Sequence, residues 1–316
     1  MTMGVELVSL SASELEARLP GMAAEFAHDV TLNFGVDPEL ALAQSTEQLN
    51  AGLPDGVTTD GQLFWKAMDG ADEVGFLWLS LPGTVYQDMA WLSEINVAAG
   101  RRGRGYGHQI MAAAETELTG RGVRRIGLHV FGHNIGARRL YLRLGYRIFA
   151  QVRARPIEPE PEPAALGDLA LLPMTEERYA ERLAELVAND PFAVVRRPGA
   201  TTEEARQTMA QWLPDGVDNR GSLLRTAHAD GREIGWLWLS LPTPDRPSVG
   251  LIAYLLVDPA ERRKGHGRRI VAAAEAELAR FGVPRIGLTV PGRTEALAFA
   301  DTLDLAVASE QLLKDL

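Results

Sequence analysis

Cysteine is absent from this chain of 316 residues, and lysine occurs only three times. The absence of cysteine excludes a disulfide framework, a thiolate zinc site and a cysteine nucleophile. Long apolar runs are also missing, since stretches such as residues 75–82 fall far short of the ~20 residues that a membrane helix needs. The first residues lack the basic start and long apolar core of a secretory signal. We therefore expect a soluble cytoplasmic protein.

Charge and composition narrow the class of protein further. Hydrophobic residues make up 46% of the sequence and charged residues 23%, which is ordinary for a folded globular protein. A length of 316 residues is enough for about two domains. The formal net charge of −10 argues against bulk binding to nucleic acid or to an anionic membrane. We expect neither partner.

The sequence contains an internal repeat with a constant offset of 160 residues. Three segments recur: LPDGV at 53–57 and 213–217, GFLWLSLP at 75–82 and GWLWLSLP at 235–242, GVRRIGLHV at 122–130 and GVPRIGLTV at 282–290. This offset indicates two domains of one fold rather than a solenoid of short units. Alternating proline and glutamate between the copies predict an extended spacer. The predicted bounds are 1–155 for the first domain, 156–164 for the linker and 165–316 for the second domain.

Periodicity in the first copy predicts both strands and helices. Alternating apolar residues predict strands at 61–68, 74–81, 89–97, 125–131 and 146–153. Residues 9–27 predict a turn that leads into an amphipathic helix, and further helices are predicted at 40–49, 108–119 and 134–144. Strands come first, and a strand–helix–strand–helix–strand series follows them. This order predicts an α/β fold with a mixed sheet.

A turn rich in glycine and arginine joins a predicted strand to a predicted helix. Both copies have the pattern Arg-x-x-Gly-x-Gly, as Arg102, Gly105 and Gly107 and as Arg262, Gly265 and Gly267. Glycine lets the backbone approach a ligand, and the N–H groups and dipole at a helix start attract an anion. Neither copy has the spacing of a Walker loop or of a dinucleotide-binding turn. The turn predicts a pyrophosphate site, with a purely structural turn bearing solvated arginines as the alternative.

A second pattern follows the turn and the strand at 126–130. It reads Asn134-x-x-Ala137-x-x-x-Tyr141-x-x-x-Gly145-Tyr146. Together with the turn, this pattern resembles the GNAT superfamily of acyl-CoA-dependent N-acetyltransferases. The resemblance covers nearly all of the first copy and the second copy as far as about residue 290. It implies two tandem GNAT-like domains, each a mixed, mostly antiparallel sheet flanked by helices.

The same resemblance implies acetyl-CoA as co-substrate and an amine as acceptor. In that family the turn holds the coenzyme pyrophosphate through backbone N–H groups, a role that falls here to Arg102, Gly103, Arg104, Gly105, Tyr106 and Gly107. The strand end, with Ile95, Asn96 and Val97, would bind the pantetheine arm and help to polarise the thioester. Asn134 would contact the coenzyme, and Tyr141 would protonate the departing thiolate.

Glu94 is the candidate general base. An amine of pKa ~10.4 must lose a proton before it attacks a thioester. Glu94 lies three residues before Val97, on the strand expected to face the thioester, and carboxylates here act as bases in several family members. An exposed strand residue or an anchor for the substrate ammonium is the alternative. The acidic residues Asp55, Asp60 and Asp88 are further candidates for attracting a cationic amine.

Asn134 and Tyr141 are seven residues apart, so they share one face of a helix. That spacing suits two contacts along one extended ligand. A helix cap is the structural reading of Asn134 and is compatible with a coenzyme contact. For Tyr141 the alternative is an ordinary core aromatic.

The second copy keeps the turn and loses the chemistry. Tyr254, Thr294 and Asp301 stand where the first copy has Glu94, Asn134 and Tyr141. We therefore predict a catalytic first domain and a degenerate second one, in which coenzyme contacts remain candidates at Val257, Arg262, Gly265 and Gly267. His129 and His133 are replaced by Thr289 and Arg293 in the second copy. With no obvious carboxylate-rich third ligand, we expect no metal.

Direct acetyl transfer to a primary amine of a small molecule or peptide is the function that these patterns favour. One alternative is a non-catalytic acyl-CoA-binding or regulatory protein. Another is a mycothiol synthase-like acetyltransferase, although in that tandem group the second domain is generally taken as catalytic. A third is an interaction scaffold in which the second copy forms a pseudo-dimer with the first. We expect a monomer with such an internal pseudo-dimer, or a homodimer.

Overall fold

The computed structural model describes residues 4–157, 167–188, 203–204, 206–207, 213, 215–243, 248–292 and 294–316. The chain forms two compact units. The first unit contains the chain up to Asn33, Asp37–Phe149 and Ser309–Leu316. The second unit contains Phe34–Val36 and Ala150–Ala308. No helix among the described residues is long and apolar enough to cross a membrane.

The first unit has a mixed sheet with helices. Its strands are β1 (Glu6–Ser9), β2 (Gln62–Asp69), β3 (Asp72–Ser80), β4 (Ala90–Val97), β5 (Arg125–Phe131) and most of β12 (Ala306–Asp315). Its helices are α1 (Ala12–Phe34), α2 (Pro38–Gly52), α3 (Tyr106–Gly120) and α4 (Ile135–Arg143). The strand order is β1-β2-β3-β4-β5-β12. Only β4 and β5 run parallel; the other neighbours are antiparallel.

The second unit repeats this arrangement. Its strands are most of β6 (Arg147–Pro156), β7 (Ala170–Pro173), β8 (Ser222–Ala229), β9 (Arg232–Ser240), β10 (Val249–Val257) and β11 (Arg285–Pro291). Its described helices are α5 (Glu176–Ala188), α6 (His266–Arg280) and α7 (Thr294–Ala300). The strand order is β7-β8-β9-β10-β11-β6, with β10 and β11 parallel. The predicted α/β class, with mostly antiparallel mixed sheets in two copies, is confirmed.

The last strand of each sequence copy joins the sheet formed mainly by the other copy. β12 pairs antiparallel with β5, from Ser309↔Phe131 to Asp315↔Arg125. β6, which ends the first copy, pairs antiparallel with β11. The compact units therefore differ from the predicted bounds 1–155 and 165–316, because each sheet is completed by a strand from the other copy. Of the predicted linker 156–164, Pro156 ends β6 and residues 158–164 lie outside the described residues.

The apolar residues whose spacing predicted α3 form part of the core of the first unit. Ile110, Met111, Ala114 and Leu118 of this helix are buried against the sheet. Trp65 on β2 is buried in the same core. Every element predicted in the first copy is present: α1 ends at Phe34 rather than at residue 27, the other bounds shift slightly, and the strand at 125–131 is unchanged.

Candidate active site

A gap between β4 and β5 defines the centre of the candidate site. The two strands pair in parallel only from Ala90↔Ile126 to Leu92↔Leu128. A bulge follows, because the β3–β4 register shifts between Leu92 and Glu94. Past the bulge, residues 95–97 pair with β3 but not with β5 in the described part of the chain. One backbone edge of β4 therefore has N–H and C=O groups to offer to a ligand.

Two glycines determine the turn at the end of β4. Gly103 and Gly105 have φ angles of +74° and +85°, in the left-handed region that other side chains rarely adopt. A Cβ atom on either residue would meet nothing within 4 Å, so conformation rather than crowding requires glycine. α3 begins at Tyr106, and the first N–H groups of a helix have no intrahelical acceptor. The open face in front of these groups suits an anion.

Gly107 is required for space. A Cβ atom there would lie 3.0 Å from Leu140 Cδ2 on α4 and 3.8 Å from Val97 Cγ2. The missing side chain thus lets α3 and α4 pack closely. The structure gives Gly107 a packing role, and its predicted contact with the coenzyme stays a prediction.

The arginine shared by both copies stabilises the turn. Arg102 Nε donates a hydrogen bond to the carbonyl oxygen of Val97 at 3.0 Å. In the second unit, Arg262 Nε donates to Val257 O at 3.1 Å. Each arginine therefore fastens the turn to the last residue of the preceding strand. Arg104 is exposed.

Tyr106 and Arg101 fix the turn to the β2–β3 hairpin. The Tyr106 hydroxyl donates a hydrogen bond to Asp69 Oδ2 at 2.6 Å. This bond to a carboxylate raises the pKa of Tyr106. Arg101 forms an ion pair with Asp72 in the same hairpin. Because these side chains have partners on the protein, the backbone of the turn is the part best placed to hold a phosphate.

Glu94 lies at the bulge, opposite Trp78 of β3 and half-buried. Burial raises the pKa of Glu94 to about 7, and the negative charges of Glu25 and Asp29 on α1 add to the rise. Arg18, also on α1, lowers it. A carboxyl group with this pKa exchanges protons near neutral pH, which is what a general base requires.

Asp29 connects α1 to the loop that precedes α4. His133 Nε2 lies 3.2 Å from Asp29 Oδ1, and His133 Nδ1 lies 2.8 Å from Asn33 Nδ2. Burial raises the pKa of Asp29, while the nearby His133 lowers it. His129 packs against Phe131 with ring centroids 4.7 Å apart, and burial lowers its pKa to about 4. His129 is therefore neutral at pH 7. The side chain of His133 has polar partners in Asp29 and Asn33 of α1.

Asn134 and Tyr141 occupy the start and the interior face of α4. Asn134 Oδ1 accepts a hydrogen bond from Ala137 N at 3.1 Å, so the helix-cap reading is confirmed. Tyr141 is 4% exposed and its ring lies 5.7 Å from that of Tyr146. Burial raises the pKa of Tyr141, so its hydroxyl stays protonated. The structure places Tyr141 in the core; its role as an acid stays a prediction.

The second unit has the same splayed strands. β10 and β11 pair in parallel only over residues 249–252, and a register shift before Tyr254 follows. Residues 255–257 pair with β9. Arg263 and Gly265 have φ angles of +64° and +85° and repeat the left-handed turn. Gly267 again lies between helices, because a Cβ atom there would be 3.0 Å from the Phe299 ring.

The side chains at the chemical positions of the second unit have other partners. Tyr254 replaces Glu94, and its ring lies 4.7 Å from that of Trp236. Asp301 replaces Tyr141 and forms an ion pair with Arg153 at 2.6 Å. The second unit thus has the frame of the site without its candidate base and acid.

Comparison with known proteins identifies the family. The model of the acetyltransferase (GNAT) family matches residues 37–146 and 181–303, which together make up more than half of the chain. The chain belongs to the acetyltransferase (GNAT) family. The predicted resemblance is confirmed.

Two curated relatives show how this GNAT protein compares with others. The Uncharacterized N-acetyltransferase YycN of Bacillus subtilis (strain 168) is 28% identical over 146 residues, which cover 46% of this chain and 94% of that protein. A mycothiol acetyltransferase of Propionibacterium freudenreichii subsp. shermanii is 34% identical over 171 residues. That match covers 52% of this chain and 53% of the relative, so it spans about half of each protein.

A solved structure shares the two-copy fold of this GNAT chain. The GCN5-related N-acetyltransferase from Sphaerobacter thermophilus superposes with a TM-score of 0.57 and 18% sequence identity. The match covers 98% of this chain and 95% of that one. At this identity the likeness shows the fold alone.

The residues of the first GNAT unit fit the acetyl-CoA that the family uses. The left-handed turn leaves open space in front of a helix start, which suits a pyrophosphate. The backbone edge of residues 95–97 suits the amide groups of a pantetheine arm. These are the places where the coenzyme-binding residues were predicted.

Sequence reasoning missed the α1 carboxylates that influence Glu94. It considered the acidic loops instead, but Asp88 there lies 3.6 Å from Arg125. Glu25 and Asp29 are separated by four residues, a spacing that places two side chains on one helix face. The four-residue spacing was the sequence signal that could have identified Glu25 and Asp29 as a pair. It does not show which strand this helix face packs against.

Proposed function

We propose that the first unit transfers an acetyl group from acetyl-CoA directly to a primary amine of a small molecule or peptide. The observation that carries this proposal is the position of Glu94. It lies at the bulge where β4 leaves β5, and its pKa is raised to about 7. This position supports Glu94 as the base beside the backbone edge that we propose holds the thioester.

Each group in this unit has one task in the proposed reaction. The N–H groups of residues 103–107 hold the pyrophosphate, and residues 95–97 hold the pantetheine arm. Asn134 contacts the coenzyme at the start of α4. Glu94 accepts the proton that the acceptor ammonium loses, directly or through water. The amine nitrogen then bonds to the acetyl carbon, and the carbon–sulfur bond of the tetrahedral adduct breaks as Tyr141 donates a proton to the sulfur. The second proton on the nitrogen leaves as the amide forms and returns to the Tyr141 phenolate, directly or through water.

The environment of Tyr141 suits a late proton donor. Burial raises its pKa and keeps the phenol protonated before the reaction. A thiolate that forms in the same apolar surroundings also has a raised pKa, because burial disfavours every charged form. Donation therefore becomes favourable only when negative charge develops on the sulfur.

We further propose that the second unit retains a coenzyme-binding frame and lacks turnover. Val257, Arg262, Gly265 and Gly267 repeat the strand end and the turn. Tyr254 and Asp301 supply neither a carboxylate base nor a phenol acid at the expected places. A second molecule of acetyl-CoA bound there would not be consumed.

Calorimetric titration of acetyl-CoA into the whole chain is the first test. We expect one site per chain if the second unit is empty, and two if it retains its ligand. A panel of primary amines, including a polyamine, an amino sugar, a lysine peptide and the acceptor of mycothiol acetyltransferases, is then assayed for release of the CoA thiol. The absence of binding at millimolar acetyl-CoA would overturn the proposal. Binding without turnover on any amine would favour the non-catalytic alternative.

Tyr141→Phe tests the proposed acid. We expect kcat to fall by about 10²-fold, the lower range for a general acid, with the Kd for acetyl-CoA unchanged. Tyr146→Phe is the matched control, because this neighbouring tyrosine is also buried. Equal rates for the two variants would remove Tyr141 from the mechanism.

Mycothiol acetyltransferase activity is a second candidate, favoured by the relative of 34% identity. The candidate base and acid lie in the first unit here, whereas the second domain is generally taken as the catalytic one in that group. Turnover of the mycothiol acetyltransferase acceptor, and of no other amine in the panel, would establish this candidate.

A further inference from the structure

A buried carboxylate on β12 contacts the helix that carries Asn134 and Tyr141. Glu310 is 1% exposed and lies opposite Val130, near the end of β5. It forms an ion pair with Arg138 on α4. A buried carboxylate is costly unless it is paired, so a displacement of Arg138 is strongly disfavoured.

Arg138 lies between the two residues of α4 that the proposed function uses. It is four residues after Asn134 and three residues before Tyr141. At these spacings the three side chains lie on neighbouring parts of the helix surface. A contact that fixes Arg138 therefore also fixes the rotation of α4 and the placement of both residues.

The second unit provides an internal comparison. The residue opposite Val290 on β6 is Gln151 rather than glutamate. The position that corresponds to Arg138 is Ala298. The residues equivalent to Glu310 and Arg138 are thus uncharged in the second unit, which pairs its last strand with this helix differently, through Arg153 and Asp301.

A different ion pair occurs in both units and marks the general framework. Lys314 Nζ on β12 lies 2.5 Å from Glu115 Oε2 on α3. In the second unit, Arg155 Nη2 on β6 lies 2.6 Å from Glu275 Oε2 on α6. Because that pair is present with and without the chemical residues, it serves the fold. The pair of Glu310 and Arg138, in contrast, is not repeated at the equivalent positions of the second unit, which are Gln151 and Ala298.

We propose that Glu310 is a positioning residue, which acts through Arg138 to hold α4 where Asn134 and Tyr141 meet acetyl-CoA. The inference rests on the proposed function of the first unit. It makes the last strand of the second copy part of the working site in the first unit. Glu310 itself is not expected to touch substrate.

Glu310→Gln in the whole chain is the test. Glutamine is the residue that the chain already has at the equivalent position, so the strand tolerates it. We expect the Kd for acetyl-CoA to rise about tenfold by calorimetry, because small displacements of a positioning group are costly. Protection of the amides of residues 135–143 by added acetyl-CoA, measured by hydrogen exchange, is expected to decrease. The thermal midpoint is expected to stay close to that of the wild type.

Two further variants make the result specific. Arg138→Lys keeps a positive charge that can pair with Glu310 but loses the guanidinium geometry, so it is expected to weaken acetyl-CoA binding less than Glu310→Gln does. Asp301→Asn removes an ion pair at the equivalent helix of the second unit, and it is expected to leave protection at residues 135–143 unchanged.

The outcomes separate this inference from the function on which it rests. If the wild type binds no acetyl-CoA, both are overturned. If the wild type binds and Glu310→Gln matches it, only the positioning role is overturned. The same holds if Glu310→Gln and Arg138→Lys both lower the thermal midpoint and the affinity together, since that result marks a purely structural contact.

Discussion

The environment of Glu94 raises the pKa of its carboxyl group and so makes its carboxylate a stronger base at neutral pH. An ordinary glutamate is ionised well below pH 7 and is a weak base there. Burial at the β4 bulge and the charges of Glu25 and Asp29 move its pKa to about 7. The carboxylate then accepts protons more readily, although half of the groups are protonated at that pH.

The expected pH dependence follows from the sign of this shift. Because the ionised form of Glu94 is the active base, kcat/KM should rise between pH 6 and 8 with a midpoint near the pKa of about 7. Glu94→Gln should lower kcat/KM by about 10²-fold or more and flatten this rise. Glu25→Gln removes a negative charge and should move the midpoint to lower pH. A rise that persists unchanged in Glu94→Gln would assign it to another group.

The contact that Arg102 makes could not be predicted from its residue type alone. The sequence pattern allowed the turn either a coenzyme contact at Arg102 or solvated arginines, and a guanidinium has the chemistry to donate to a phosphate. The structure shows its Nε bound to Val97 O, and Arg262 repeats the contact. A shared pattern identifies a shared conformation, but it does not distinguish a ligand contact from a contact within the loop.

At the scale of elements, the turn between β4 and α3 was predicted in position, as a glycine-rich link from strand to helix. Positive φ angles at Gly103 and Gly105 follow from glycine's freedom. The packing role of Gly107 was not predictable, since it depends on the distance between α3 and α4. The short strand β1 also escaped prediction, because four residues are too few for a clear alternating pattern.

Gly105→Ala tests the turn as an element. Alanine in the left-handed conformation costs about 1 kcal/mol, so the turn should open or shift. We expect the Kd for acetyl-CoA to rise about tenfold, since the N–H groups lose their common direction. Gly100→Ala is the control, because Gly100 has open space and no positive φ angle. Equal affinities of the two variants, measured by calorimetry, would separate the turn from coenzyme binding.

At the scale of the whole molecule, the exchange of β6 and β12 was beyond sequence reasoning. The two strands have the same pattern of buried and exposed positions along their length. Arg155 and Lys314 even meet equivalent glutamates in the two units. The pattern of burial therefore does not determine which sheet each strand joins, whereas the ion pairs Glu310–Arg138 and Arg153–Asp301 match the observed choice.

Because β12 pairs with β5, removing the end of the chain should destabilise the first unit rather than the second. A chain that stops at residue 305 lacks β12, and with it Leu312 in the core of the first unit and the ion pairs made by Glu310 and Lys314. The sheet of the second unit keeps all six of its strands. We therefore expect hydrogen exchange to accelerate in α3 and α4, while β9 and β10 remain protected.

A synthetic peptide of residues 304–316 provides the control for this truncation. If the missing strand is the cause, the peptide should pair with β5 and restore protection in α4. The same peptide with Leu312→Asp should not, because a carboxylate would enter the core in place of a buried leucine. Faster exchange confined to the second unit would contradict the exchange of strands, since deletion would then harm the copy from which the residues came.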